Sequence, residues 1–126
     1  MRVTRIYTGG DGQSHFEELE LPTTDLGRGL ETGVIPTTGA ILRDRRGVAP
    51  LDMGFHNAPR RQLVINVGGT VEVETGDGTI RRFEAGEVLF ADDLTGQGHQ
   101  TRAGADLALM MFLPIPDEFD PAIWRM

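Results

Sequence analysis

The sequence predicts an all-β protein that folds as one sandwich or barrel, and three observations favour this class. No segment keeps a 3.6-residue hydrophobic period for more than two turns, so long amphipathic helices are not expected. Short apolar runs are separated by clusters of Gly, Pro and Asp, as in proteins built from many short strands. Glycine is abundant, with 17 in 126 residues, which suits many tight turns.

The apolar runs predict ten strands in chain order. Their close spacing leaves no room for the helical crossovers that parallel βαβ units require. Residues 23–38 are expected to form a Gly- and Thr-rich loop, and the segment after residue 113 a tail or a short helical turn. The expected strands are 3–7, 16–21, 41–45, 51–56, 62–67, 70–75, 80–84, 88–91, 99–103 and 107–113.

The clearest local element is a hairpin that begins at residue 70. Valine and glutamate alternate over 70–75, as in a strand with one buried and one solvated face. The Asp77-Gly78 dipeptide that follows favours a two-residue type I′ turn. With that turn, Glu74 lies opposite Arg81, and the two charges form a structural cross-strand pair.

Composition and charge exclude several function classes. A net charge of −7 and a pI near 4.8 oppose a nucleic-acid partner, because binding phosphates needs a basic face. With no cysteine, neither disulfides nor thiolate chemistry can occur. No apolar run approaches the length of a membrane helix, so we expect a cytoplasmic protein with no membrane partner.

The strand expected at 107–113 is apolar on both faces. Such a strand is covered on both sides, either by a second sheet or by a partner subunit. We therefore expect a homodimer.

Two stretches of the chain carry motif-like spacing. The first contains His56, Ala58, Gln62 and Gly69. The second begins at Gly86 and reaches Gly96 and His99. These stretches resemble the two motifs of the cupin superfamily, over roughly residues 40 to 113. His56 and His99 occupy histidine places, and Gln62 stands at the glutamate place.

The resemblance implies a single-domain cupin fold over residues 1–126, a double-stranded β-helix or jelly-roll barrel. The core motifs span about 40–113, with N-terminal strands in 1–39 and a tail in 114–126. The whole chain also looks like small single-domain bacterial cupins, which open with a stretch similar to residues 7–16 here. Cupins hold a divalent metal with three imidazoles and a carboxylate.

Here Ala58 removes one imidazole, and Gln62 replaces the anionic ligand with a neutral amide. His56, Gln62 and His99 remain as candidate metal ligands, for zinc, nickel, manganese or iron, or for no metal at all. Without metal, His56 and His99 would be catalytic as a general acid–base pair.

The spacing explains how these side chains converge. Residues 56 and 58 share one face of a strand, and a proline turn brings residue 62 back to that face. By the same alternation Arg60 and Asn66 share the face of Gln62, so all three are candidates to bind substrate, with a structural role for Arg60 at the rim and for Asn66 at the turn as the alternative. An apolar lining that includes Phe90 and Phe112, with Val64 and Met110, would favour a partly apolar ligand.

Two further positions bear on the site. His15 lies in a Gly- and Asp-rich loop, where a solvent-facing role is expected. The Asp92-Asp93 pair precedes His99, and a carboxylate there would fix the tautomer of that imidazole.

Two functions remain open at this point. One is a small-molecule enzyme of the cupin type, with isomerase, lyase, cyclase or oxygenase chemistry. The other is a metal-free cupin that binds or senses a small ligand without turnover.

Overall fold

The computed structural model describes residues 1–125, and over that range the protein is all-β. A single 3-10 turn, Pro121–Trp124, follows the last strand, in the segment where a tail or helical turn is expected. Within residues 1–125 no helix has the length and apolar content needed to cross a membrane. The strands are β1 (Arg2–Thr8), β2 (Ser14–Glu20), β3 (Thr23–Asp25), β4 (Leu30–Thr32), β5 (Ile41–Asp44), β6 (Leu51–His56), β7 (Gln62–Gly68), β8 (Val71–Thr75), β9 (Ile80–Phe83), β10 (Val88–Asp92), β11 (His99–Ala103) and β12 (Leu109–Pro114).

The strands form one large sheet, one small sheet and a separate ribbon. The large sheet has the order β2-β1-β10-β7-β12-β5, the small sheet β6-β11-β8-β9, and the ribbon pairs β3 with β4. In the described chain no ladder joins the large sheet to the small one, so the sheets do not close into a barrel. The expected barrel is therefore corrected to an open arrangement of sheets.

Strand pairing from β5 onward is nested. β5 pairs with β12, β6 with β11, β7 with β10 and β8 with β9, all antiparallel. The first strand of this set thus meets the last, and the chain passes repeatedly between the two sheets. β1 joins the large sheet by parallel pairing with β10, and β2 continues from it.

Each of the ten expected strands is present within a few residues of its predicted bounds. The hairpin register is different from the prediction, however, since Glu74 lies opposite Ile80 rather than Arg81. The cause is the loop: Gly78 adopts a positive φ of 90°, and the side chain of Asp77 accepts hydrogen bonds from Thr75 and Thr79. A three-residue loop of this kind shifts the pairing by one position.

Two apolar layers form, one on each face of the large sheet. The inner layer fills the space between the sheets, and the outer layer is covered by the C-terminal segment. The inner layer contains Ile6, Val71, Val73, Phe83, Leu89, Leu107, Met110 and Phe112. The outer layer contains Val3, Leu19, Leu21, Leu63, Phe90, Ile115 and Trp124.

A partly buried ionic network fixes the C-terminal segment over the outer layer. The Asp92 carboxylate accepts hydrogen bonds from Arg5 (2.7 and 2.9 Å) and from Arg61 (2.7 Å). Arg61 also donates to the backbone carbonyls of Pro116 and Phe119, each at 2.9 Å. This carboxylate therefore connects three parts of the chain that are distant in sequence.

The space between the sheets is closed on one side and open on the other. Inward-facing Ile6 and Phe83, near β2 and β9, are 0% and 2% exposed. At the other side, Ile41 of β5 and Met53 of β6 are 39% and 41% exposed, although register places both beside inward-facing residues of the neighbouring strand. We call the side bounded by β5 and β6 the open edge.

Candidate functional site

Strand register brings two of the three histidines together at the open edge. His56, the last residue of β6, lies directly opposite His99, the first residue of β11. Their ring centroids are 4.5 Å apart, with the planes inclined by 56°. His56 is half-buried and His99 is buried. The structure thus joins the two histidines that the sequence selected.

Asp93 lies behind His99. Its carboxylate Oδ2 is 2.5 Å from Nδ1 of His99, and the residue is completely buried. The second carboxylate oxygen, Oδ1, is buried and has no hydrogen-bond partner in the described chain. Exposure therefore falls from His56 through His99 to Asp93, inward from the open edge. The expected contact between this aspartate pair and His99 is made by Asp93 alone.

The loop between Asp93 and His99 is held by backbone contacts. The Asn57 side chain donates to the carbonyl oxygens of Asp93, Thr95 and Gly96. Gly98 has a φ of 77°, and a Cβ there would collide with the His56 carbonyl. The residue before the pocket histidine must therefore be glycine for β6 and β11 to approach as they do.

Gln62 and Arg60 form a separate pair at the same end of the interior. Gln62 is 3% exposed, and its Oε1 accepts a hydrogen bond of 2.8 Å from Nη1 of Arg60. Register places Gln62 beside Ala91, two residues before Asp93 along the chain. Because side chains alternate, Gln62 and Asp93 face the same interior space.

Asn66 lies elsewhere. It is four residues beyond Gln62, about 13 Å along the strand. Its Nδ2 donates to the carbonyl oxygens of Gly69 (2.6 Å) and Phe83 (3.3 Å), which fixes the end of β7. The structure does not bring Asn66 to the histidines, and its hydrogen bonds are those of the alternative expectation, a structural role at the turn.

The two predicted aromatic residues occupy opposite faces of the large sheet. Phe112 belongs to the inner layer with Met110 and packs against Val64. Phe90 belongs to the outer layer, where its ring lies 6.3 Å from Trp124. The expectation that Phe90 lines the interior is wrong, because the alternation in β10 directs Leu89 inward and Phe90 outward.

One residue near this interior was not selected from the sequence. Arg43 of β5 places its guanidinium carbon 4.5 Å from the ring centroid of Phe112. The period-two pattern of 41–44 would have put Arg43 on the same face as Ile41. What the sequence does not reveal is that this face turns toward the interior.

His15 lies away from the two other histidines. Its Nε2 is 3.0 Å from Asp11 and its Nδ1 is 3.0 Å from Asp77, so it bridges two loops. Hydrogen bonding to Asp11, opposed by desolvation and aided by Asp77, raises the pKa of His15. This histidine is best explained as a surface contact between the first two strands and the β8–β9 hairpin.

Hydrogen bonding at Nδ1 orients both pocket imidazoles. Nδ1 of His56 donates to the carbonyl of Gly54 at 2.8 Å, and Nδ1 of His99 faces the Asp93 carboxylate. In residues 1–125 neither Nε2 atom has a hydrogen-bond partner. When neutral, each imidazole therefore carries its lone pair on Nε2, ready to accept a proton.

The donor set does not fit the metal centre that the resemblance implies. Within residues 1–125, no group of three or more His, Cys, Asp or Glu residues is arranged to hold an ion. Gln62, the third candidate ligand, already has its oxygen bound to the Arg60 cation. Two imidazoles remain, without an anionic ligand, which is fewer than tetrahedral or octahedral centres use.

The histidine site lies at the open edge, where His56 is half-buried and His99 is buried. No protein-family model matches this chain, and no curated protein sequence matches it.

Proposed function

We propose that the protein is a cupin-type enzyme that transfers protons on a small organic molecule, in the manner of an isomerase or lyase. The observation that carries the proposal is the arrangement of Asp93, His99 and His56, which runs from a buried carboxylate to an accessible imidazole. A carboxylate that orients one histidine beside a second is a common basis of general acid–base catalysis.

The strand pairing supports the cupin part of the proposal. A jelly roll forms when a long antiparallel pair of chain segments rolls up, so that its first strand meets its last. The nested pairs from β5–β12 to β8–β9 follow that order. The two motif stretches then fall on β6–β7 and β10–β11, which meet at the histidines.

Each residue has a separate part in the proposed chemistry. His99 accepts a proton from substrate carbon at Nε2, and the buried carboxylate of Asp93 stabilises the cation that results. His56 lies nearer to solvent and, in its protonated form, gives a proton from Nε2 to a neighbouring atom of the substrate; exchange with water then removes the proton from His99 and restores the one on His56. Phe112 is buried and lies opposite Val64, the next inward-facing position after Gln62, so it supplies an apolar surface for the substrate.

Proton exchange tests the proposal even when the product of the reaction is not identified. The protein is incubated in D2O with a panel of 2-oxo, 3-oxo and 2,3-unsaturated acids and their amides. Loss of the proton NMR signal at the acidic carbon reports abstraction. We expect exchange with at least one compound, reduced about 100-fold or more in His99→Gln and Asp93→Asn.

His15→Gln is the matched control, because it removes an imidazole outside the site and should leave exchange unchanged. Equal exchange in His99→Gln and in the unaltered protein would refute the assignment. If compounds bind but none exchanges, the protein is a non-catalytic ligand-binding cupin instead.

We also propose that a second copy of the chain covers part of the large sheet. On its outward face, register aligns Leu42, Met111 and Ile65 across β5, β12 and β7. Leu42 is 75% exposed and nearby Val67 50% exposed, beyond the reach of the C-terminal segment. An apolar stripe of this kind is typical of a homodimer contact.

A further inference from the structure

Few arginine side chains of this protein lack a carboxylate partner. All 12 basic residues are arginine, against 19 acidic residues. In the described chain nine arginines lie within ion-pair distance of a carboxylate. The three that do not are Arg43, Arg45 and Arg60. Arg45 donates to the Ala49 carbonyl within its own loop, which leaves Arg43 and Arg60.

These two arginines are exposed side chains that strand register places toward the same end of the large sheet. The backbone of Arg43 in β5 is opposite Met110 in β12, but its guanidinium lies over the ring of Phe112. Phe112 is two residues further along β12, in the direction of the position that pairs with Gln62 of β7. Arg60 is bonded to Gln62 itself. One guanidinium without an acidic partner therefore comes from β5, and a second comes from the turn that precedes β7.

The same end also contains the histidine site. Gln62 is opposite Ala91, and Asp93 follows two residues later with its carboxylate bonded to His99. The Asp93 carboxylate is therefore bonded to His99 and does not form an ion pair with Arg43 or Arg60. Since acids outnumber arginines in this chain, the absence of an acidic partner at both positions is informative.

Both guanidinium groups keep the capacity to bind an anion. Arg60 uses one N–H on Gln62, and a guanidinium has five. Arg43 is stacked on an aromatic ring, which orients the guanidinium while leaving its N–H groups available. A planar donor fork matches a carboxylate or a phosphate better than a neutral polar group.

We propose that the site selects a small organic acid with an apolar body. Arg43 and Arg60 bind its anionic group, the body packs on Phe112, and a carbon beside the anionic group lies at His99. This inference rests on the proposed function, because it names the substrate class of the same site.

Binding of matched probes tests the inference separately from catalysis. Phenylacetate, phenylacetamide and phenyl phosphate are titrated by NMR against the untagged protein. We expect an anion to bind about 10-fold or more tightly than the amide. Arg43→Gln and Arg60→Gln should each remove most of that preference while leaving the amide affinity unchanged. Arg82→Gln removes the same charge from the small sheet and should change nothing.

Equal affinity for the acid and the amide would overturn the inference, as would an anion preference that survives both substitutions. Tighter binding of phenyl phosphate than of phenylacetate would identify a phosphoryl rather than a carboxylate group. In His99→Gln the anion preference should persist while exchange is lost. If the unaltered protein prefers anions but exchanges no compound, catalysis fails and anion recognition stands.

Discussion

The same substitution should have different effects at two adjacent aspartates. Asp92→Asn should lower stability, whereas Asp93→Asn should mainly lower proton exchange. Asp92 and Asp93 differ by one position, so their side chains point to opposite faces of the large sheet. Asp92→Asn removes an anion that accepts three hydrogen bonds of 2.9 Å or less from Arg5 and Arg61. Asp93→Asn removes an anion with a single partner, His99, and with a buried oxygen that has none.

The size of the first effect follows from these contacts. Breaking a buried ion pair by removing one partner costs about 3–5 kcal/mol of unfolding free energy. The network is only partly buried, Arg5 keeps Glu17 at 3.0 Å, and Arg61 keeps its backbone carbonyls, so the lower end applies. We expect a loss of about 3 kcal/mol in Asp92→Asn, or roughly 10 °C in Tm for a chain of this size.

Asp93→Asn should cost less than about 1 kcal/mol, because His99 can become neutral and no uncompensated charge is then left buried, whereas Arg5 and Arg61 stay charged in Asp92→Asn. The same variant should nonetheless lose proton exchange. Urea unfolding monitored by circular dichroism measures both free energies. Asp44→Asn, at an exposed pair with Arg46, serves as the control and should leave the urea midpoint unchanged. Equal losses in the two aspartate variants would refute the separation of a structural and a functional carboxylate.

Three other outcomes are expected. Because Asp11 raises the pKa of His15, the stabilisation that His15 provides is complete below its unfolded pKa and is lost as pH rises through the folded one. The Tm advantage over His15→Gln should therefore be largest near pH 6 and should shrink as the pH rises above the ordinary pKa of histidine, and a constant difference would contradict this. Ala58→His with Gln62→Glu should restore two family ligands and raise zinc affinity by orders of magnitude in calorimetric titration; an unchanged affinity would show that positions 58 and 62 do not face the histidines. Leu42→Glu should convert a dimer to a monomer in sedimentation velocity, whereas an unaltered sedimentation coefficient would exclude this face as the contact.

The sequence was informative about strands and about the histidines, because both depend on local pattern. Alternation and turn residues place β5 to β12 within a few positions, and motif spacing selects His56 and His99, which register then pairs. The inward or outward sense of a strand is set by its neighbours, and a prediction from one strand alone is easily reversed. This is why the sequence alone suggests an interior position for Phe90.

Other site features depend on contacts between distant segments. Arg43 lies 17 residues before Arg60 in the sequence, and only the pairing of β5 with β12 brings it over Phe112. The hairpin register differs for another reason, since the side chain of Asp77 selects a longer loop than the Asp-Gly pair predicts. Neither effect leaves a signal in hydrophobic periodicity.

The three hydrogen bonds from Asn57 to the loop after Asp93 have a consequence for kinetics. They attach the segment that carries Asp93 and His99 to the residue that follows His56, so we expect the three groups to keep their relative positions. The reorganisation needed to align them is completed during folding, before any ligand arrives. Ligand exchange would then be limited by motion of β5 and β6, and amide hydrogen exchange should be faster in those two strands than in the Asp93–His99 loop.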